Sequence, residues 1–356
     1  MLKLGVIGYG YWGPNIVRNF SSHPDCRVIA ICDKNPKMVA RALSRHPVVF
    51  ATSDPDEVTG SPEIEAVAIV TPVSTHYDLA TKALENGKHV FVEKPFTATS
   101  AQAEKLIELA DRKNLVIMVD HTFLFTGAVR KIKELVDGGV LGPLYYYDAT
   151  RVNLGLFQHD VNVIWDLAPH DLAIMDHLIG LEPELVVATG GAHLNGLEDV
   201  AYITLYFPQN VIAHINVNWL SPVKVRLTLV GGQRKMLVWN DLEPTEKIKI
   251  YDKGVEVGTE QGVHELLVSY RSGDMWAPRV EETEALQLET RYFLDCVAEG
   301  KRPFNDGRAG LRVVRMLEAA ERSLTTAKNG LTPHRVDRMS SGPALAASRR
   351  VRGLVS

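Results

Sequence analysis

The sequence is poor in cysteine, and none of its cysteines is spaced to work with another. Cys26, Cys32 and Cys296 are the three in 356 residues, with no C-x-x-C pair. That excludes a disulfide framework and a zinc knuckle and points to a reducing cytoplasm. A large excess of charge of one sign is missing too. The formal net charge is -4, with acids and bases scattered along the chain. There is no basic stripe for nucleic acid and no charged face for a membrane, so the expected partners are small molecules. No apolar run reaches the length of a membrane span, and Met1 leads straight into a strand without a charged leader, so export is not expected. Internal repeats are absent. Low complexity begins only at about residue 338, where Ser340, Ser341, Gly342 and Pro343 give way to alanines and to Arg349, Arg350 and Arg352; residues 338–356 read as a flexible tail.

What the sequence does carry is a glycine turn near its start. Leu4, Val6 and Ile7 suit a buried parallel strand and lead into Gly8-Tyr9-Gly10-Tyr11-Trp12-Gly13. In a G-x-G-x-x-G set between strand and helix, the first glycine permits the tight turn and the second lets backbone approach a pyrophosphate. The third lets the helix pack close to the strand. Unpaired N–H groups and the dipole of the helix start would hold a diphosphate without a basic side chain. A second apolar run, Val28 to Cys32, ends in Asp33, 20 residues past Gly13. A carboxylate there accepts hydrogen bonds from an adenosine ribose and repels a 2'-phosphate. NAD is therefore the expected cofactor, held by the turn and Asp33, while Lys34 beside that acid leaves NADP open.

Strands and helices alternate from there. The pattern predicts a helix from Pro36 to Ser44 capped by Asn35, a short strand from Val48 to Phe50 and a helix from Asp54. The apolar strand Ala66 to Val70 follows, then a helix from Tyr77 to Asn86 stopped by Gly87, the strand His89 to Val92, a helix from Ser100 to Arg112 and the strand Leu115 to Val119. This is the pattern of a doubly wound parallel sheet, ending just past Asp120-His121. Thr71, Pro72, Thr75 and His76 fall at its carboxyl edge, beside the cofactor. Glu93-Lys94-Pro95 leaves the next strand at the same edge, which puts an ammonium near the nicotinamide where it can hydrogen-bond a substrate oxygen.

After a helix from Gly127 to Asp137, strands dominate: Leu144 to Asn153, Leu185 to His193, Val200 to Phe207, Val211 to Trp219, Val223 to Val230, Lys235 to Trp239 and Ile248 to Tyr251. They predict a large, mostly antiparallel sheet. Stretches such as Ala201 to Phe207 are apolar or aromatic on both faces, so one face is expected to cover helices and the other to meet a second subunit in a homo-oligomer, a dimer or tetramer. Between those strands, Val161 to Leu172 runs into a helix through Ile179, with Pro169 expected in its first turn. Asp166 and His170 are four apart, either on one helical face or with Asp166 as the cap. A histidine near a helix N-terminus is kept neutral by the dipole and is suited to act as a general base. His159, Asp160, Asp166, His170, Asp176 and His177 have metal-ligand chemistry, but their spacing matches no H-E-x-x-H pattern and no metal is expected.

Taken together, Gly8 to Gly13, Glu93-Lys94-Pro95 and the D-x-x-x-H from Asp166 to His170 resemble the glucose-fructose oxidoreductase, inositol dehydrogenase and MocA (Gfo/Idh/MocA) family, over nearly the whole chain to about residue 335. The resemblance implies an α/β protein with a Rossmann domain over residues 1–121 and a substrate-binding, oligomerising α+β domain over 122–337. It also implies an NAD(P)-dependent dehydrogenase acting on CH–OH, with catalytic roles for Lys94, Asp166 and His170. Gly10 to Asn15, Trp165 to Asp171 and Phe293 to Cys296 are similar to a subgroup that oxidises UDP-N-acetylglucosamine or its uronate at C3. Asn153, at a strand end just before the Asp166 to His170 motif, is a candidate substrate contact, together with Trp165, Asp166 and His170. Oxidation of a free sugar or inositol, reduction of a keto-sugar with NADPH, and a non-catalytic NAD-binding regulator stand as alternatives.

Overall fold

The computed structural model describes residues 1–46, 49–155, 161–252, 254–257, 268–271 and 273–328. The tail over 338–356 and the candidate ligands His159 and Asp160 lie outside the described residues. In chain order the first half runs β1 (Leu2–Ile7), α1 (Gly13–Ser21), β2 (Cys26–Cys32), α2 (Pro36–Arg45), β3 (Phe50–Thr52), α3 (Pro55–Thr59), β4 (Ala66–Ile69), α4 (His76–Glu85), β5 (His89–Glu93), α5 (Ser100–Lys113) and β6 (Ile117–Asp120). Its strands form one six-stranded parallel sheet in the order β3-β2-β1-β4-β5-β6. Strand order reverses beside β1, which opens a ligand crevice at the carboxyl ends of β1 and β4. Asn35 and Asp54 cap α2 and α3 through their side chains. The short strand expected at Val48 to Phe50 sits two residues later, at Phe50–Thr52, where it meets Ala30 to Cys32 in register.

The second half runs α6 (Gly127–Asp137), β7 (Leu144–Leu154), α7 (Val163–Ile179), β8 (Leu185–Gly191), β9 (Val200–Tyr206), β10 (Ile212–Asn218), β11 (Leu220–Gly232), β12 (Met236–Asn240), β13 (Ile248–Tyr251), β14 (Gly254–Val257), β15 (Val268–Arg271), β16 (Met275–Trp276), α8 (Ala285–Glu299) and α9 (Gly307–Lys328). An eight-stranded sheet has the order β16-β13-β12-β11-β7-β10-β9-β8, antiparallel except where β7 meets β10, and β14 pairs with β15 apart from it. Side chains alternate across it as the pleat requires. Ala201, Ile203, Leu205, Ala213, Ile215, Val217, Leu237 and Ile250 are buried on the face that α7 and α9 cover. The register sets Leu185, Tyr206, Ile212, Tyr146, Gly231, Met236, Tyr251 and Met275 side by side in one row across all eight strands of the opposite face. Among the described residues that face is uncovered, and Leu185, Tyr206, Ile212 and Met275 are exposed.

α7 departs from expectation at Pro169. The helix begins at Val163, capped by the Asn162 side chain, which accepts from the N–H groups of Ile164 and Trp165, so Pro169 lies in the interior instead of the first turn. An interior proline forfeits an i→i−4 bond and crowds the carbonyl before it, a penalty of about 3 kcal/mol. Burial of Val163, Ile164, Ala168, Leu172 and Ile174 on the same helix outweighs it.

α8 and α9 return to the first sheet. Phe293 of α8 meets Phe20 and Phe91 edge-on at 5.9 and 5.7 Å, and those two meet each other at 5.5 Å. Asn305 exchanges hydrogen bonds with Val119 on the edge strand β6. α9 packs on α5 and α7 and along β8. No helix among the described residues is long and apolar enough to cross a membrane.

Candidate active site

The glycine turn has the geometry its three glycines require. Gly8 has φ +102°, and a Cβ there would sit 2.2 Å from the Val70 carbonyl oxygen; one on Gly13 would sit 2.3 Å from the oxygen of Gly8. A Cβ on Gly10 would meet nothing within 4 Å, so open space lies over the middle of the turn. α1 starts at Gly13-Pro14 with no side-chain cap, so no side chain fills the helix start that faces the turn, although the Asn15 N–H already bonds the Trp12 carbonyl at 2.9 Å. Asp33, at the end of β2, accepts from the Tyr9 N–H at 2.7 Å and the Asn35 N–H at 2.8 Å, which fixes its carboxylate at the mouth of the turn. These residues fit a dinucleotide.

Lys94 and Asp166 come together although they are 72 positions apart: Nζ donates to the Asp166 carbonyl oxygen at 2.8 Å and lies 3.7 Å from its carboxylate Oδ1. Both side chains are largely shielded, with 15% and 20% of their surface exposed. The other carboxylate oxygen accepts from the Trp219 indole N–H at 3.0 Å. One helical turn beyond Asp166, the His170 ring packs against Phe123, with 4.9 Å between centroids. Its imidazolium is strongly disfavoured, first by burial and then by the charges of Lys94, Arg151, His121 and Arg226. His170 is thus neutral in a cationic pocket, and burial rather than a helix terminus is the main cause. Arg151 stacks over the same Phe123 ring, 4.5 Å from its centroid, and grips Asp171 with two hydrogen bonds of 2.7 and 2.9 Å.

Acids gather beneath Lys94. Glu93 and Asp120 are register partners on β5 and β6, and Glu289 of α8 is fully buried beside them. Burial, then the neighbouring Asp120, pushes the Glu93 carboxyl up to about 8, so it holds a proton at neutral pH. Glu289 is pushed well up for the same two reasons. Asp120 also accepts from the indole N–H of Trp12 at 3.0 Å and from the Thr122 hydroxyl, which ties the acid cluster to the glycine turn.

Other expected site residues are distributed differently. Tyr11 is exposed on the turn, Lys34 is exposed beside Asp33, and Thr71 and Thr75 join through their hydroxyls at the end of β4, where Pro72 supplies a further acceptor. Asn153 is half-buried near the end of β7. Three side chains expected at the crevice are committed elsewhere. Tyr9 is buried with its hydroxyl 3.2 Å from His46, and His76 is buried with both ring nitrogens against backbone oxygens of Thr71 and Pro95. Trp165 turns its indole N–H to Glu321 of α9. Sequence reasoning missed His121, Phe123, Arg151 and Trp219. His121 was within reach of the same logic, since it follows a strand of the parallel sheet at the carboxyl edge. Among the described residues, no three His, Cys, Asp or Glu side chains converge in a metal-holding group.

Comparison with known proteins agrees with this architecture. Residues 2–121 match an oxidoreductase family with an NAD-binding Rossmann fold, and residues 129–236 match the Gfo/Idh/MocA C-terminal domain. The oxidoreductase YdgJ of Escherichia coli is 30% identical over 69% of this chain and 73% of its own. The scyllo-inositol 2-dehydrogenase (NAD(+)) of Bacillus subtilis is 28% identical over 85% and 86%. The UDP-N-acetylglucosamine 3-dehydrogenase of Acidithiobacillus ferrooxidans is 27% identical over 88% and 94%. A solved structure of that last enzyme aligns with 91% of this chain and 97% of its own at a TM-score of 0.76 and 26% identity. With both halves matched in order and a glycine turn shaped for a diphosphate, the chain belongs to the Gfo/Idh/MocA family of oxidoreductases and binds NAD as its cofactor.

Proposed function

We propose that the chain oxidises a secondary hydroxyl of a sugar ring to a ketone, and that its substrate is a UDP-linked N-acetylated sugar oxidised at C3. The observation that carries this reading is the meeting of Lys94 with Asp166, one turn before His170, at the sheet edge that also holds the glycine turn. Bound in that turn, the dinucleotide supplies the hydride acceptor. The Lys94 ammonium holds the hydroxyl oxygen and stabilises the negative charge that develops on it, and a shielded site strengthens that effect. His170, kept neutral by its surroundings, takes the hydroxyl proton. Asp166, anchored by Trp219, sets the position of Lys94 and accepts from a neighbouring sugar hydroxyl. Asn153, half-buried near the end of β7, is a further substrate contact in this proposal. The similarity to a UDP-N-acetylglucosamine 3-dehydrogenase supports the nucleotide sugar, and an inositol is the second reading because the scyllo-inositol enzyme is equally similar.

A thermal-shift screen with NAD present separates these substrates, because a ligand at 100 times its Kd adds about 2.7 kcal/mol of stability. UDP-N-acetylglucosamine or its uronate is expected to raise Tm, and NADH to form on mixing. A shift confined to inositols overturns the nucleotide-sugar reading.

The uncovered face of the eight-stranded sheet supports self-association into a dimer or tetramer through the row from Leu185 to Met275. Sedimentation is expected to give a multiple of the 39.4 kDa chain mass. A monomer at micromolar concentration refutes it. Buried, unpaired Cys26, Cys32 and Cys296 suit a reducing cytoplasm.

A further inference from the structure

One row of the large sheet is charged where its neighbours are apolar. Arg151 on β7 and Arg226 on β11 are register partners, and Val217 of β10 flanks Arg151 on its other side. The row belongs to the face that α7 covers, where Ala149, Ile215 and Val217 are buried. Like charges set directly opposite each other across two strands repel, and apolar residues would suit this face better. A charged pair kept at such a place argues for a role in binding.

The two arginines are not equivalent. Arg151 is enclosed and held by both oxygens of Asp171. Arg226 is the reachable one, with 30% of its side chain exposed. Among the described residues its guanidinium makes one hydrogen bond, from Nη1 to Asp241 at 3.3 Å, and its Nε has no partner. A guanidinium with spare donors in a shielded place calls for an oxygen acceptor.

Its position is fixed against the groups proposed to carry the chemistry. Phe123 has the Arg226 guanidinium 5.4 Å from its ring centroid and the His170 ring 4.9 Å from it, so base and guanidinium surround one side chain. Trp219, which anchors Asp166, comes two residues after Val217 and so lies on the same face of the sheet. Arg226 stands two strands over from it, a lateral step of roughly 10 Å. A substituent across the sugar ring from the reacting hydroxyl falls within that span.

We propose that Arg226 is the specificity-determining residue of the site and binds a carboxylate on the sugar, so that the substrate is a uronic acid and not a neutral sugar. This rests on the sugar lying between Lys94 and His170, as proposed above. The forked N–H donors of a guanidinium match the two oxygens of a carboxylate. Arg151, sealed beneath and neutralised by Asp171, holds Phe123 in place for both contacts. Arg226 makes and breaks no bond; it selects which ring is held over the nicotinamide.

The test uses the full chain with NAD and two pairs of compounds: UDP-N-acetylglucosamine and its uronate, and free N-acetylglucosamine and its uronate. Wild type is compared with Arg226→Gln, with Arg226→Lys, and with Arg226→Gln joined to Asp241→Asn, which leaves no acid unpaired. Binding is read by calorimetry and turnover by NADH. Wild type is expected to prefer the uronate in each pair. Arg226→Gln is expected to cut that preference, in Kd and in KM, by roughly 10- to 100-fold. The double variant is expected to repeat the loss and Arg226→Lys to recover only part of it. A wild type with no preference for the uronate overturns the proposal, as does a preference that survives in the variants or a loss that follows the UDP group in place of the carboxylate. Uronates that bind through Arg226 without forming NADH leave the carboxylate site standing and sink the oxidation; NADH formed with no uronate preference does the reverse.

Discussion

Lys94→Ala is expected to lower kcat by roughly 100-fold or more while NAD affinity stays within about twofold, and His170→Ala to do the same. The two losses have different origins. Without Lys94 the charge developing on the substrate oxygen loses its counter-ion in a shielded pocket, where such a contact is worth most. Without His170 the proton has no acceptor in place. Neither side chain touches the glycine turn or Asp33, so dinucleotide binding, read by fluorescence titration, is left nearly intact. Lys94→Arg keeps the charge and misplaces it, and is expected to recover little, because the ammonium is fixed by a 2.8 Å bond to one helix carbonyl. Full activity in either alanine variant removes that residue from the chemistry.

Asp171→Ala is expected to destabilise the protein by about 3–5 kcal/mol, seen as a lower denaturation midpoint. The side chains of Arg151 and Asp171 are only 5% and 4% exposed, and Arg151 directs two hydrogen bonds at the carboxylate. Removing the acid strands a guanidinium between Phe123 and the sheet, with no water to solvate it. The double variant Arg151→Met with Asp171→Leu removes both charges and is expected to recover most of the loss, since an apolar pair of similar volume is often as stable as the ion pair. If the double variant is as unstable as the single one, packing and not a stranded charge is the cause. Because Phe123 lies between Arg151 and His170, kcat in Asp171→Ala is expected to fall as well.

The parallel sheet was legible because most of its strands are short apolar runs and several connections carry a cap or stop residue, such as Asn35, Asp54 and Gly87. Gly8, Gly13 and Asp33 were legible because their roles depend on backbone and spacing. Side-chain direction was not. His76 sits at the predicted edge and Trp165 in the predicted helix, yet one turns to the carbonyls of Thr71 and Pro95 and the other to Glu321, 156 positions away. Pro169 misled because a local rule about prolines gave way to the burial of a whole helix. The acid cluster was invisible for a related reason: Glu93 and Asp120 are neighbours only through strand register, and Glu289 arrives from a helix near the other end of the chain.

α9 has mechanical significance. It is 22 residues long, roughly 33 Å of continuous helix, and it is tied at several points to both sheets. Arg315 and Glu318 bind Glu104 and Ser100 on the nucleotide-binding side, while Ser323 binds Ala188 on the edge of the large sheet. A splint of that kind resists wide hinge opening. Substrate binding is therefore expected to change the spacing between the two halves little, with selection resting more on the shape of the cleft than on closure around the ligand.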